Sequence, residues 1–417
     1  MRRTLTIGWL AVLGCVLSGQ SPPQKPGLTP AVPKESTLRV RLERVGRIPT
    51  TTNPTSPAVA GSQLLLLDQG GVLYRWDGSA ATPLITLKTV PAGVRPIPPE
   101  PLMNVAADKS GSKLYVMFLS STTPRDVPRR MSPREPDSWY LLYEYQFDGT
   151  ALSAPRPVTA MQARSDGHLG GGMAVLDDGT VLFSVGDNGD SYEDGRDHGQ
   201  NPAVHLAKIM RINPADGSTA VVALGVRGAQ RLAVYTIAGE PWVTFVDPGG
   251  WISEELNAAR QSDLLTARPP LNFGWGRNPA DKKAREGTFE IDNVGNSSAR
   301  IPPGEAGFVE PMAEFGRERN EPFAVSGPVR SDISFAGISF LFGDLVGGQL
   351  FATTGPPTAK RQDVFRVTVV DSGDRPVTLK SLAGNERPEP RVFTFPDGSA
   401  GILLERTGDF YRVTEVR

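Results

Sequence analysis

One strand-turn-strand unit recurs along this 417-residue chain, and the recurrence limits the possible folds more than any other feature. The clearest pair lies near the two ends, where LLLDQGGVLYRW begins at Leu65 and ILLERTGDFYRV begins at Ile402. The two segments align without a gap. Each has an apolar run, a Gly-containing turn and a second run with Tyr-Arg, which together predict a β-hairpin.

The apolar strand of this hairpin recurs four more times, as KLYVMF from Lys113, VLFSV from Val181, WVTFV from Trp242 and QLFATT from Gln349. A short strand-like segment precedes each copy, for example FLFGDLVGG before Gln349, and a third strand often follows, for example VFRVTV from Val364. Three or four antiparallel strands repeated six times predict an all-β fold, a six-bladed β-propeller, because stacked blades bury faces that one blade cannot cover. A pair of stacked sheets is the alternative.

The repeats place the propeller domain at residues 37–417, with a long insertion at 258–332 rich in Pro, Gly, Arg and Glu. Long connections of this kind are binding loops or mobile surface. The first 19 residues begin with Arg2 and Arg3, followed by a short apolar stretch, which predicts an export signal. Residues 20–36, rich in Pro and Ser, are predicted to be a tether.

Cys15 is the single cysteine, so the mature domain has no disulfide. It follows Val12-Leu13-Gly14, which resembles a bacterial lipoprotein signal whose cysteine becomes acylated. A simple cleaved signal ending near Gly19 is the alternative. The protein is therefore expected to be periplasmic, attached to the cell surface, or secreted, with membrane attachment only through a lipidated Cys15.

The charge and motif content exclude several function classes. The net charge is −1 with both signs interspersed, so neither nucleic acid nor an anionic membrane is an expected partner. The sequence has no GxSxG elbow, Walker loop or HExxH motif, which argues against the commonest serine hydrolases, P-loop proteins and metalloproteases.

Three histidines limit acid-base chemistry at neutral pH to His168, His198 and His205. His168 lies in RSDGHLGGGMAVLDDG, where the glycines permit close approach of a ligand. A solvated loop histidine is the alternative. His198 and His205 are predicted to be structural or solvent-facing. The polar loop GDNGDSYEDGRDHGQNPAVH, which contains His198 and His205, carries five acidic residues, predicted to be solvated or, alternatively, to bind calcium: Asp187, Asp190, Glu193, Asp194 and Asp197.

Several segments, in order, resemble the glucose/sorbosone dehydrogenase family of exported quinoproteins between about Val45 and Val416. HLGGGMAVLDDGTVLFSVGDNGD and HLAKIMRINPADGS are similar to the family's H-x-GG, DG, GD and GK-x-x-RI pattern. VDPGGWISEELN matches the spacing of E-H-G-P-x-G-G-D-E-x-N, and LNFGWG is similar to N-Y-G-W-P. The resemblance implies a six-bladed propeller that oxidises an aldose with pyrroloquinoline quinone and calcium.

The resemblance also implies roles for individual residues. His168 occupies the place of the general base that takes the proton of the sugar's anomeric hydroxyl. Arg227 matches the arginine of the family's G-H-R-N and would neutralise the cofactor, as would Arg387 and Arg391, which stand near the family's paired arginines before PDG. Backbone carbonyls of Gly249 and Gly250 correspond to the G-P pair that binds calcium.

Departures from the family pattern keep other functions open. G-H-R-N reads Gly225-Val226-Arg227-Gly228 here, and the family's active-site lysine has no obvious counterpart. The second hypothesis is therefore a cofactor-free propeller that acts as a cell-surface binding or structural module. A third is another propeller enzyme, such as a lactonase-like hydrolase whose carboxylates hold calcium.

Overall fold

The computed structural model describes residues 30–49, 54–97, 101–131, 138–163, 167–189, 198–250, 252–278, 282–291, 297–316, 325–330, 337–356 and 358–415. The predicted export signal, Cys15 and most of the tether lie outside these residues. Nearly all regular structure is β, and the helices in the described ranges are α1 (Gln261–Thr266) and α2 (Leu379–Ala383). No helix in the described ranges is long and apolar enough to cross a membrane.

The first described strand, β1 (Arg39–Arg47), precedes two antiparallel sheets whose strands follow chain order. The first sheet contains β2 (Pro54–Ala60), β3 (Gln63–Asp68), β4 (Leu73–Trp76) and β5 (Ala81–Ile85). The second contains β6 (Leu102–Ala107), β7 (Lys113–Ser120), β9 (Ser138–Phe147) and β10 (Leu152–Ala163), with β8 (Arg129–Arg130) at its edge.

The third and fourth sheets follow the same pattern. The third contains β11 (Gly170–Val175), β12 (Val181–Val185), β13 (Lys208–Ile212) and β14 (Thr219–Leu224), with β18 (Leu271–Asn272) parallel to β14. The fourth contains β15 (Leu232–Ile237), β16 (Glu240–Asp247), β17 (Glu254–Arg260) and β23 (Ala313–Phe315). Between β17 and β23 the chain forms a small extra sheet of β19 (Gly276–Arg277), β20 (Ala284–Glu286), β21 (Phe289–Ile291) and β22 (Ser297–Arg300).

The C-terminal strands form one continuous sheet through β1. Its first part contains β24 (Val325–Arg330), β25 (Phe340–Asp344), β26 (Leu350–Thr353) and β27 (Phe365–Val370), with β28 (Pro376–Val377) at its edge. Its second part contains β29 (Pro390–Thr394), β30 (Ala400–Leu404) and β31 (Asp409–Glu415). β1 pairs antiparallel with β31 and parallel with β27. Arg44 and Arg47 each lie 2.6 Å from the buried carboxylate of Asp409.

The first strands of the sheets contact one another in sequence. β2 contacts β6, β6 contacts β11, β11 contacts β15, β15 contacts β24, β24 contacts β29, and β29 contacts β2. The loops that precede the neighbouring strands β11 and β15 meet, since Arg227 lies 3.2 Å from His168.

The run of leucines in β3 shows why continuous apolar segments form the strands next to these first strands. Leu64 and Leu66 belong to a core shared with Phe393 and Phe410, whereas Leu65 and Leu67 pack into a core shared with the second sheet. Successive side chains of a strand point to opposite faces, so a sheet buried on both faces needs apolar residues at every position.

Both predicted hairpins are present, as β3–β4 and β30–β31. The assignment near Gln349 is wrong, however. QLFATT forms β26, the third strand of its set, and the segment predicted to precede the apolar strand, FLFGD, is itself the second strand, β25. VFRVTV likewise gives the fourth strand, β27, rather than the third. The first strand, β24, has the sequence VSGPVR, which has no apolar run to reveal it.

Candidate active site

His168 lies in the loop that leads into β11, with its imidazole 49% exposed. Its φ is +48°, in the left-handed region that non-glycine residues seldom adopt and that is concentrated at functional sites. The loop is pressed against Gly186, where an added Cβ would lie 1.7 Å from the carbonyl oxygen of His168. Backbone packing therefore fixes the position from which the imidazole projects.

Asp187 orients this imidazole. Its Oδ1 lies 3.0 Å from Nδ1 of His168, and its side chain is 3% exposed. The backbone N–H of Asp187 donates to the carbonyl of Arg227 at 2.8 Å, which joins two loops of the site. A carboxylate facing Nδ1 places the proton on Nδ1 and leaves the lone pair of a neutral imidazole on Nε2. The expectation of a solvated acidic loop is wrong for Asp187, whereas Asp190, Glu193, Asp194 and Asp197 lie outside the described residues.

Arg227 faces the other nitrogen of the imidazole. Its Nη2 lies 3.2 Å from Nε2 of His168, and its Nη1 donates to the carbonyl of Pro248 at 3.1 Å. Its guanidinium lies 5.3 Å from the centre of the Trp275 ring, and Nε lies 3.6 Å from Oδ2 of Asp187. The structure thus brings together His168 and Arg227, two of the residues predicted from sequence.

Asp247 holds the backbone beneath Arg227. Its carboxylate accepts hydrogen bonds from the backbone N–H groups of Arg227 at 2.7 Å and Gly228 at 2.8 Å. Burial raises the pKa of Asp247 to about 7, and the nearby Asp187 adds to this effect, against the opposing hydrogen bonds and the charge of Arg227. Burial also raises the pKa of Glu255, which lies opposite Asp247 in the register of β16 and β17. The charge of Asp247 raises the pKa of Glu255 further.

The turn of Gly249 and Gly250 follows Pro248 and lies against the buried carboxylate of Glu286. Oε1 of Glu286 accepts hydrogen bonds from the N–H groups of Ile252 at 2.7 Å and Ser253 at 2.8 Å. A Cβ added to Gly249 would lie 1.7 Å from the carbonyl oxygen of Ser253 and 2.3 Å from Oε1 of Glu286. Only a glycine fits there without a shift of the turn. The described residues contain no group of three His, Cys, Asp or Glu side chains placed to hold a metal.

Lys208 stabilises the loop that contains His198 and Gly199, which contacts the site through Trp275. Its ammonium group is fully buried and donates to the carbonyls of His198 at 2.8 Å, Gly199 at 2.8 Å and Leu206 at 2.6 Å. Within that loop, Gln200 donates to the carbonyl of Trp275 at 2.8 Å, and Trp275 lies against Arg227. Lys208 thereby supports the site from behind.

Arg391 and Arg387 lie elsewhere. Arg391 forms an ion pair with the buried Glu405 at 2.7 Å, contacts Gln230, and lines a cavity of about 470 Å³ that we call the channel cavity. Burial raises the pKa of Glu405 to about 7, with Arg391 opposing the rise. Arg387 is half-exposed and pairs with Glu389. Gln230, which Arg391 contacts, lies three residues after Arg227, and this chain segment connects Arg391 to the His168 site.

Sequence reasoning missed Asp187 and Asp247 as members of the site. Asp187 stands in the GD of the quoted motif, and Asp247 opens the VDPGG segment, so motif position was the available signal. His205 is completely buried, and its Nε2 lies 2.7 Å from the carbonyl of Gln162. Burial lowers the pKa of His205 to about 4, so this histidine stays neutral in the fold.

Comparison with known proteins places this geometry in context. Residues 100–275 match the sequence model of the family described as Glucose / Sorbosone dehydrogenase, and they include His168, Asp187, Arg227 and the glycine turn. An uncharacterized protein of Synechocystis is 30% identical over 149 residues, which span 31% of this chain and 34% of that protein.

Solved structures share the fold over most of the chain. The PQQ-bound aldose sugar dehydrogenase of Streptomyces coelicolor is 19% identical, with a TM-score of 0.60 over 92% of this chain and 99% of that one. The apo form of the soluble aldose sugar dehydrogenase of Escherichia coli is 16% identical, with a TM-score of 0.57 over 90% of this chain and 100% of that one. The family match over residues 100–275 thus covers the site, and these solved structures show that the fold is shared over most of the chain.

Proposed function

We propose that this protein is an exported sugar dehydrogenase, a six-bladed β-propeller that oxidises an aldose with pyrroloquinoline quinone and calcium and uses His168 as general base. The observation that carries the proposal is the contact of Nδ1 of His168 with the buried carboxylate of Asp187, 3.0 Å away. That contact directs the lone pair of Nε2 toward the exposed side of the imidazole, where a substrate hydroxyl can approach.

The order of contacts between first strands supports the six-bladed arrangement. Six first strands, β2, β6, β11, β15, β24 and β29, contact one another in order, and β29 returns to β2. In this arrangement β1 supplies the outer strand of the last blade, and the sheet of β19–β22 is an addition to the fourth.

The residues present fit an anionic cofactor beside His168. Arg227 supplies a guanidinium that is 15% exposed, and Trp275 supplies an aromatic face against it. The turn at Gly249 and Gly250 lets backbone carbonyls approach closely, which suits a hard cation such as calcium. Arg227 would therefore bind a cofactor carboxylate, and the glycine turn would bind the calcium ion. The quinone, when bound, would supply the acceptor for the hydride, which carries both electrons lost by the sugar.

The chemistry of the chain's own residues centres on one proton. Nε2 of His168 takes the proton of the anomeric hydroxyl while C1 loses a hydride, so the aldose becomes a lactone. In the structure Nε2 accepts a hydrogen bond from Arg227, and Arg227 must turn away before a sugar hydroxyl can take that place. The carboxylate of Asp187 then stabilises the imidazolium and keeps the ring in its orientation.

The family match and the shared fold favour this function over the cofactor-free binding module and over a lactonase-like hydrolase. Export rests on the sequence of residues 1–19 alone. Mass spectrometry of the mature N-terminus decides between an acylated Cys15 and a simple cleaved signal.

The decisive experiment is reconstitution of the purified protein with the quinone and calcium. We expect bleaching of a redox dye with at least one aldose and retention of quinone absorbance after gel filtration. His168→Ala should lower turnover by about 10²- to 10⁴-fold while quinone absorbance is retained. Absence of both dye bleaching and retained quinone would overturn the proposal.

A further inference from the structure

The channel cavity lies among the first strands of five sheets, β2, β6, β11, β15 and β29. Its walls combine apolar and polar side chains, and several of the apolar ones are partly exposed, namely Ala58, Val59, Ala174, Val175 and Val234. Its volume of about 470 Å³ is within the usual range of small-molecule sites. The cavity therefore has the size and the apolar surface to hold an organic molecule.

Arg231 supplies a charge to this cavity. It ends the loop before β15 and is one of the residues that line the cavity. Nη1 lies 3.4 Å from the carbonyl oxygen of Pro57, Tyr235 is its other hydrogen-bond partner, and Nε has no hydrogen-bond partner. In the described part of the chain, the partners of Arg231 are thus neutral groups.

Among the described lining residues, no other charge balances Arg231. The described lining residues include no Asp or Glu. The second cation of the lining, Arg391, is already neutralised by Glu405 at 2.7 Å. The described lining therefore carries the uncompensated positive charge of Arg231.

A guanidinium removed from water without a counterion is unfavourable, and a bound anion removes that penalty. Burial lowers the pKa of Arg231, which agrees with a partly desolvated cation that has no counterion among the described lining residues. Guanidinium groups bind carboxylates through paired, charge-assisted hydrogen bonds. A hydrated inorganic anion would leave the valine and alanine walls without a partner, whereas an organic acid covers them.

We propose that the channel cavity binds a small organic carboxylate, whose carboxylate group pairs with Arg231 and whose apolar part lies against the walls formed by Val59, Val175 and Val234. His168 and Arg227 are not among the residues that line this cavity. Binding there consequently requires neither quinone nor calcium, and the proposal stands or falls separately from the dehydrogenase activity.

Isothermal titration calorimetry of the full-length purified chain, without quinone or calcium, tests this site. The probes are sodium benzoate, the neutral analogue benzyl alcohol, and sodium phosphate. We expect saturable binding of benzoate, with benzyl alcohol weaker by about 10- to 100-fold because it lacks the charge-assisted bonds. Equal binding of the two aromatic probes, or no binding of benzoate, would overturn the proposal, and binding of phosphate alone would overturn the assignment to an organic acid.

Variants locate the binding. Arg231→Gln should weaken benzoate by about 10- to 100-fold, whereas Arg211→Gln, which removes an arginine paired with Asp178 outside the cavity, should change it less than about twofold. Val234→Phe keeps Arg231 but fills part of the cavity, and it should also weaken benzoate. If Arg231→Gln fails to fold, Val234→Phe alone tests whether benzoate binds in the channel cavity. Unchanged affinity in Val234→Phe and in any folded Arg231→Gln protein would place benzoate elsewhere.

Discussion

Nδ1 of His168 lies 3.0 Å from Oδ1 of Asp187, and the same aspartate receives almost no solvent, with 3% of its side chain exposed. Because the backbone N–H of Asp187 also donates to the carbonyl of Arg227, this single residue joins the imidazole to the guanidinium that faces it. The base and its cationic neighbour are therefore positioned together.

Asp187→Asn tests this relationship. The amide can present an N–H to Nδ1 and favour the tautomer with the proton on Nε2, which cannot accept a proton from a sugar. We expect the kcat of the reconstituted enzyme to fall by about 10²- to 10⁴-fold, with quinone retention preserved. Asp178→Asn, at a surface ion pair with Arg211, is the matched control. Equal activities of the two variants would remove Asp187 from the mechanism.

Gly249→Ala tests the turn assigned to calcium. The added methyl would meet the Ser253 carbonyl and the Glu286 carboxylate, so the turn must move, and we expect the free energy of unfolding to fall by about 1–3 kcal/mol. Gly228→Ala is matched in chemistry, since neither residue has a positive φ and a Cβ at 228 meets nothing within 4 Å. It should change stability by less than about 0.5 kcal/mol in the same urea titration. Comparable losses in both variants would contradict the crowding at Gly249.

Lys208→Met tests the brace behind the site. It removes donors from three buried carbonyls, and we expect a loss of about 3 kcal/mol or more in the free energy of unfolding. Lys109→Met, at a lysine whose side chain is 79% exposed, should change the same quantity by less than about 0.5 kcal/mol. A fully stable Lys208→Met protein would show that the three hydrogen bonds contribute little.

The stability of the fold should depend on pH through Asp247. Its pKa is raised to about 7, so between about pH 4 and pH 7 the folded state holds a proton that the unfolded state has lost. Its contribution is therefore fully present below about pH 4 and disappears as pH rises through 7. We expect the stability of the wild type relative to Asp247→Asn to fall by about 1–3 kcal/mol between about pH 5 and pH 7.5 in urea unfolding. A difference independent of pH would mean that Asp247 titrates normally.

His205 should show the opposite trend. Burial lowers its pKa to about 4, so the unfolded state binds the extra proton between about pH 4 and pH 6.5, and the fold gains stability as pH rises through that range. In the same titrations the wild type should therefore gain on His205→Gln as pH rises. A parallel pH profile for the two proteins would contradict a buried neutral imidazole.

The sequence predicted the strands that consist of consecutive apolar residues. The runs at Leu64, Leu114 and Leu182 face a core on both sides, so their composition alone reveals a strand. β24 escaped prediction because VSGPVR pairs through its backbone without an apolar run, and its absence shifted the assignment of β25 and β26 by one strand. The extra sheet of β19–β22 escaped for the same reason, since each of its strands has only two to four residues.

Motif order indicated His168 and Arg227, but it could not show what holds them. Asp187 and Arg227 are 40 residues apart in the sequence. They meet because Asp187 follows the end of β12 and Arg227 precedes the start of β15, a strand of the neighbouring sheet. The role of Asp247 depends equally on tertiary contact, since its hydrogen bonds reach back 20 residues to Arg227. Arg231 belongs to none of the sequence motifs, and its proposed role follows from the cavity that it lines.

The pairing of β1 with β31 has a consequence for how the protein is made. Asp409 and Arg44, which meet across this seam, are separated by 365 positions, so this sheet stays one strand short until β31 has been synthesised. Contacts between such distant residues slow folding. A nascent chain that has not yet reached β31 therefore lacks this seam, and removal of β1 or β31 exposes a bare strand edge prone to aggregation.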